Sequence, residues 1–343
     1  MPESVDPVTT VTVAGPHFDD LAVGDVLDAA PTQTLTPGVA AAHQAILGGR
    51  WRLSLDAPLA DAVLGHGDGA LASPALVCDV AIGQSTGFTQ RVRANLFYRG
   101  LVLHRPVRIG DTLRTVTRVE ALRENRRREG REPTGLVVLR ITTVDQEDRP
   151  VLDFRRCAML PLSPGAAPTG HADDLDRFSG DLDGDALRAA ASGFDLAAYR
   201  AALPTARHLG GVADGTVFDV QGGDVVTSAP ELARLSLNVA AVHHDAAAAG
   251  GRRLVYGGHT IGLAAAQITR ALPDLVTVVA WEGCDHVGPV HEGDTLHGTV
   301  EVVGREPTAD GGALVRLRSR VRARRADGTD DDVLDWRLVA LSA

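Results

Sequence analysis

The feature that most constrains the fold of this 343-residue chain is that it repeats itself. Pro106–Leu113 reads PVRIGDTL and Pro289–Leu296 reads PVHEGDTL, an offset of 183 residues. Val151–Arg155 (VLDFR) returns as Val333–Arg337 (VLDWR) at an offset of 182, and Phe18–Val26 (FDDLAVGDV) is echoed by Phe218–Val225 (FDVQGGDV). Three matches in one order, two at offsets of 182 and 183 and the third at about 200, make a tandem duplication, and each copy must build the same supersecondary unit.

Each copy reads as a strand-like opening, a loop-rich stretch, one helix and a run of strands. In the first copy Ser73–Pro74 supplies an N-cap followed by proline at the first helical position, and Val77, Ala81, Gln84 and Phe88 follow at helical spacing. In the second, Ile261, Ala265, Ile268 and Leu272 recur at that spacing until Pro273 stops the run. Strand-like segments come next: Thr112–Leu122, Gly135–Asp145 and Val151–Leu160, then Thr295–Val303, Ala313–Ala323 and Val333–Leu341. Arg123–Pro133 (RENRRREGREP) reads as a solvated hairpin tip between two of them. One helix followed by antiparallel strands implies an α+β unit with the helix on one sheet face. The expected division is an N-terminal domain over 1–162, a linker with a short surface helix (Leu187–Leu203) over 163–205, and a C-terminal domain over 206–343.

Composition narrows the partners. Charged residues make up 23% of the chain and the formal net charge is −10, which argues against sequence-independent nucleic-acid binding. All 34 basic residues are arginine, so Schiff-base lysine chemistry is excluded. Three widely spaced cysteines (Cys78, Cys157 and Cys284) suggest neither a metal site nor a disulfide framework. With no leader-like start and no run of about 18 apolar residues, a cytoplasmic, membrane-free protein is expected.

The stretch richest in chemistry is Ser236–Leu263, SLNVAAVHHDAAAAGGRRLVYGGHTIGL. It carries Asn238 and His243, then Arg252–Arg253, then Gly257–Gly258 opening an apolar helix. The free N–H groups of a helix start favour developing negative charge, and an imidazole can act as a base near neutral pH. Plainer roles compete. Asn238 can cap a turn, the glycine pair can be a simple joint, Tyr256 and His259 can merely pack, and the arginine pair can be solvated. His243–His244–Asp245 superficially suggests a metal site, but neighbouring side chains diverge and no third ligand is evident.

The residues resemble the MaoC-like double-hotdog hydratase/dehydratase family, in which a helix wrapped by an antiparallel sheet is duplicated in tandem to form a pseudo-dimer. Family members carry Asp-x-Asn-Pro-x-His-x-Asp and then a glycine at the start of the central helix. Asn238–Asp245 (NVAAVHHD) aligns with that stretch and Gly258 with the glycine. Asn238 replaces the first Asp, and Ala240–Ala241 replace Asn-Pro. Together RLSLNVAAVHHD, GRRLVYGGHTIGL, CDHVGPVHEGDT and ANLFYRGLV look like the mesaconyl-CoA (2-methylfumaryl-CoA) hydratase subgroup, which also places Asn there.

The resemblance implies reversible hydration of an α,β-unsaturated acyl-CoA, with His243 as base, Asn238 positioning water and the Gly258 N–H stabilising the thioester oxyanion. Tyr256, Gly257, His259 and His286 would line the substrate site, and Arg252 and Arg253 would meet a CoA phosphate. No cofactor beyond the thioester substrate, no metal, and a homo-oligomer are expected. An arginine fork should receive a substrate carboxylate, without the sequence saying which arginine. If Asp56 stands opposite Asp245, Gly49 and Ser54 occupy the places of Asn238 and His243, so the chemistry should sit in the second copy, with the first shaping the pocket. The alternatives are amine addition, another enoyl thioester, or an inactive acyl-CoA binder. Thioester hydrolysis is disfavoured because Gly262–Thr269 holds no carboxylate.

Overall fold

The computed structural model describes residues 9–65, 69–203, 209 and 212–343. The expected 205/206 boundary falls outside the described residues. The first copy contains β1 (Val26–Leu27), β2 (Gln33–Thr34), α1 (Pro37–Leu47), α2 (Arg52–Leu55), α3 (Ala57–Leu64) and the central helix α4 (Pro74–Gln84). Four long strands follow: β3 (Ala94–Leu103), β4 (Thr112–Glu124), β5 (Thr134–Val144) and β6 (Pro150–Pro161). After α5 (Gly184–Ala191) and α6 (Leu196–Ala202), the second copy supplies β7 (Val217–Asp219), β8 (Asp224–Val225), α7 (Ala229–Leu235) and the central helix α8 (Gly257–Ala271). It closes with β9 (Leu275–His286), β10 (Thr295–Pro307), β11 (Ala313–Arg324) and β12 (Asp330–Ser342).

All strands join one antiparallel sheet in the order β1-β4-β5-β6-β3-β9-β12-β11-β10-β7, with β2 on β4 and β8 on β10. The copies meet where β3 pairs with β9, from Phe97↔Asp285 to Val102↔Ala280. Tyr98 and Trp281, equivalent at the 183-residue offset, stack edge-to-face there with centroids 5.8 Å apart. Helices α4 and α8 are in contact and buried along nearly their whole length.

The repeated motifs have a common local cause. In each GD turn the glycine takes a left-handed conformation, Gly110 at φ 111° and Gly293 at φ 89°, which only glycine adopts without strain. The following aspartate reaches back to accept an N–H three residues earlier, Asp111 from Arg108 and Asp294 from His291, both at 2.9 Å.

Four sequence expectations need revision. The loop-rich stretch of the first copy holds three helices, α1 to α3. Strands β3 and β9 were not anticipated as strands. Leu187–Leu203 is two helices, interrupted at Gly193, and is not merely a surface element. Leu187, Phe194, Leu196 and Tyr199 are buried against Val102, Val276 and Val339 in a second core. The SPGAAPTGHADD stretch is tethered, with Ser163 N–H donating to Asp19 and Leu122 N–H donating to Asp173.

Candidate active site

A cavity of about 310 Å³ opens beside the first turn of α8. The second copy lines it with Asn238, His243, Tyr256, Gly257, Thr260 and His286, and the first with Thr89, Arg93, Asn95, Tyr98 and Arg156.

His243 sits on a short 3₁₀ turn, Ala241–His243. Its Nδ1 lies 2.8 Å from the Leu254 carbonyl oxygen. A carbonyl can only accept, so Nδ1 carries the proton and Nε2 is left as a free lone pair. Burial lowers its pKa to about 4, while the Leu254 hydrogen bond acts in the opposite sense and His244 and Arg156 add to the lowering. At neutral pH the ring is therefore uncharged and basic.

Asn238 is pinned from several sides. Its Oδ1 accepts the Ala240 N–H at 2.9 Å, so the side-chain NH₂ is the end left available. His244 donates through Nε2 to the Asn238 carbonyl at 2.7 Å, which commits that ring nitrogen to the backbone. Preceding Asn238, Leu237 is held at φ 61°, a left-handed conformation costly for a branched residue. The first copy enforces that backbone. A Cβ on Gly83 would stand 1.6 Å from the Ser236 carbonyl oxygen, and the Thr86 hydroxyl accepts the Val239 N–H at 3.0 Å.

At the helix start, the N–H groups of Gly257 and Gly258 make no hydrogen bond among the described residues, whereas His259 N–H donates to the Tyr256 carbonyl. Gly257 lines the cavity and Gly258 does not. A Cβ on Gly258 would collide with the Asp79 carboxylate and the Tyr256 ring, and Asp79 is itself held by His43 at 3.0 Å. Gly258, the glycine expected to serve as oxyanion donor, is thus set back from the cavity wall, and its neighbour Gly257 stands on it. Helical periodicity puts Thr260, three residues after Gly257, on the same side.

His259 falls off that side. It is fully buried, neither ring nitrogen has a partner among the described residues, and burial lowers its pKa to about 4. It is not a lining residue, contrary to expectation. His286 is one: its ring packs on Gly257 and lies 5.9 Å from that of Tyr98. Arg252 lines a more open depression that shares Arg93, Leu254 and Pro289 with the cavity, and it donates to the Asp294 carboxylate at 3.3 Å. Arg253 lines neither space and is paired with Glu292 at 2.7 Å.

Sequence reasoning missed Asn95, Tyr98, Thr89 and Arg156. A cue existed in the repeat, where Arg156 and Leu338 are equivalent at the offset of 182. Among the described residues, buried polar atoms without partners collect around this cavity: both amide atoms of Asn95, Nε of Arg156 and Nε2 of His286. Buried polar groups are normally satisfied, so this cluster points to a polar ligand.

The equivalent place in the first copy is closed. Leu71, Ala72, Pro74, Leu103, Pro106 and Val107 stand where the second copy has Leu254, Val255, Gly257, His286, Pro289 and Val290. Only about 20 Å³ remains, with Phe194 and Ala190 from the connecting helices among its walls.

No family model matches the chain. Mesaconyl-CoA hydratase of Cereibacter sphaeroides is 31% identical over 90% of this chain and 89% of its own length. The chain belongs to the MaoC-like double-hotdog hydratase/dehydratase family. Another MaoC-like relative, β-methylmalyl-CoA dehydratase of Chloroflexus aurantiacus, is 28% identical over 86% of this chain and 84% of its own. Among solved structures, a conserved hypothetical protein of Mycobacterium tuberculosis with a double hotdog fold is 52% identical, with a TM-score of 0.89 over 97% of this chain and all of that one. A MaoC domain protein dehydratase of C. aurantiacus is 25% identical, with a TM-score of 0.81 over 97% of this chain and 99% of that chain. Among the described residues of this MaoC-like chain, no helix is long and apolar enough to cross a membrane.

Proposed function

We propose that the protein is a hydro-lyase that reversibly adds water to an α,β-unsaturated acyl-CoA, with mesaconyl-CoA and β-methylmalyl-CoA as its substrate pair. The observation that carries this is a neutral imidazole, with its free Nε2, sharing one cavity with the start of α8, where the Gly257 N–H is unpaired among the described residues. Water adds to an alkene conjugated with a thioester because negative charge moves onto the thioester oxygen. Preorganised donors for that oxygen are worth about 2.7–4 kcal/mol each, and here they are the N–H groups at the helix start, where the helix dipole assists.

In the hydration direction, Nε2 of His243 takes a proton from water as the oxygen attacks the β-carbon. The Asn238 NH₂ holds that water in line. The imidazolium then returns its proton to the α-carbon as the enolate collapses, which closes the proton balance. Dehydration is the reverse. The depression reaching Arg252 suits the CoA phosphates as they leave the cavity mouth. This proposal includes no resident cofactor, no nucleic-acid partner and a homo-oligomeric assembly.

The deciding test is loss of the conjugated-thioester absorbance when purified protein meets mesaconyl-CoA in water. Turnover only with an added amine would support amine addition, release of free CoA a thioesterase, and tight binding without turnover an inactive acyl-CoA binder.

A further inference from the structure

Of the two arginines that line the cavity, one is neutralised. Arg93 at the mouth makes a bidentate pair with Glu132 at 2.8 and 2.9 Å. Arg156, on β6, is 4% exposed and has no carboxylate within ion-pair distance among the described residues. Its Nη2 donates to the Ser85 carbonyl at 3.2 Å and the Thr89 hydroxyl at 2.7 Å, and its Nε is buried without a partner. Isolated buried charge is costly and is retained only where something compensates it.

The duplication shows what this position requires when no ligand is involved. In the second copy the equivalent residue is Leu338, fully buried and paired in register with Trp281, just as Arg156 is paired with Tyr98. A core leucine satisfies the fold. The first copy instead places a guanidinium there, and it lines the cavity that holds His243. The geometry points to Arg156 as the anchor for the free carboxylate at the far end of a dicarboxylic acyl chain. Both Nη2 protons of the planar fork are committed to Ser85 and Thr89, which leaves Nε and Nη1 as the charged donors for carboxylate oxygens, and Asn95, with both amide atoms unpartnered among the described residues in the same cavity, completes the polar end. Arg156 is therefore a specificity-determining residue, and its role rests on the enoyl-CoA hydration proposed above.

Two unreactive saturated esters separate binding from chemistry. Succinyl-CoA carries the extra carboxylate and butyryl-CoA has a methyl group in its place. Calorimetric titration of the full chain should show succinyl-CoA binding roughly 30-fold or more tightly, the scale for a buried charge pair. Arg156→Gln should abolish that preference while leaving butyryl-CoA binding within about threefold, and Arg156→Lys, which keeps the charge but loses the fork, should fall between. In turnover, Arg156→Gln should lose kcat/KM on mesaconyl-CoA while retaining it on the analogue bearing methyl in place of the carboxylate. Equal affinity of the wild type for both saturated esters, or equal loss on both in a folded Arg156→Gln, would overturn the assignment. A carboxylate preference without hydration of any enoyl-CoA would leave the anchor standing and reject the hydratase.

Discussion

The Nδ1 of His243 and the carbonyl oxygen of Leu254, 2.8 Å apart, fix the tautomer on which the proposed chemistry depends. Because that oxygen cannot donate, the free lone pair is always on Nε2 while the ring is neutral. His243→Ala should lower kcat/KM by roughly 10²–10⁴-fold, the usual contribution of a general base, while circular dichroism and the thermal midpoint show an intact fold. The pH dependence has a definite sign. Burial depresses the pKa to about 4, so the basic form persists from neutrality downward and kcat/KM falls only as pH drops toward 4. An acid limb centred at or above 6.5 would contradict the assignment of His243.

Gly83 belongs to the first copy, yet it governs the position of Asn238 in the second. Its hypothetical Cβ overlaps the Ser236 carbonyl, at 1.6 Å, and approaches Asn238 N at 3.2 Å. Both contacts are backbone atoms, which cannot swing aside as a flexible side chain would. Gly83→Ala should therefore destabilise by about 1–3 kcal/mol, the usual cost of overpacking, and lower kcat further than stability alone explains. Gly304→Ala is the control, since a Cβ there meets nothing within 4 Å. Chemical denaturation and initial rates on both variants check the prediction, and equal behaviour of the two would refute it.

Much of this architecture could be read from the sequence because repetition and periodicity are local. The central helices α4 and α8 and the six strands β4–β6 and β10–β12 all lie where spacing and periodicity put them. Strands β3 and β9 were harder to read, because each lies between two neighbours at the centre of the sheet and lacks clear alternation. Helices α1–α3 were obscured by Pro and Gly punctuation. At the site, the residues of the NVAAVHHD stretch were found because they are close in sequence. Arg156 and Asn95 were not, because they reach the cavity only through the β3–β6 pairing. His259 was misread for the opposite reason: proximity in sequence to Gly257 placed it near the site, but the helical turn carries its ring into the interior.

Three buried histidines, His243, His259 and His286, have pKa values lowered by burial from 6.5 to about 4. In the unfolded chain each titrates near 6.5, so between pH 6.5 and 4 the unfolded state binds more protons than the folded one. Stability should therefore be fully present above pH 6.5 and decline as pH falls through that window, at a limiting rate of about 1.4 kcal/mol per pH unit for each such group. His259 separates stability from catalysis because it lines no part of the cavity. His259→Leu removes two unsatisfied buried nitrogens, and should leave stability at pH 7 unchanged or raised while flattening its decline below pH 6.5. Denaturation midpoints at pH 7.5 and 5.0 give the comparison. An unchanged slope would mean that the His259 ring is not buried in the neutral form.

Asn238 lets the roles of donor and acceptor be separated by a single atom. Its Oδ1 is committed to the Ala240 N–H at 2.9 Å, leaving the NH₂ as the end available to the cavity. Asn238→Asp keeps the shape and the Ala240 contact but replaces a donor with an anionic acceptor. A negative charge in the cavity that His243 shares favours the imidazolium, so the His243 pKa should rise. The acid limb of kcat/KM should then move upward from about 4, and activity at neutral pH should fall less than in Asn238→Ala, which removes the positioning contact altogether. Asn238→Ala should lower kcat by roughly one to two orders of magnitude, the scale of a lost orienting contact near the reacting atoms. Parallel pH–rate profiles of the three proteins provide the measurement. If the acid limb of Asn238→Asp coincides with that of the wild type, residue 238 does not face the imidazole, and the water must be held by another group.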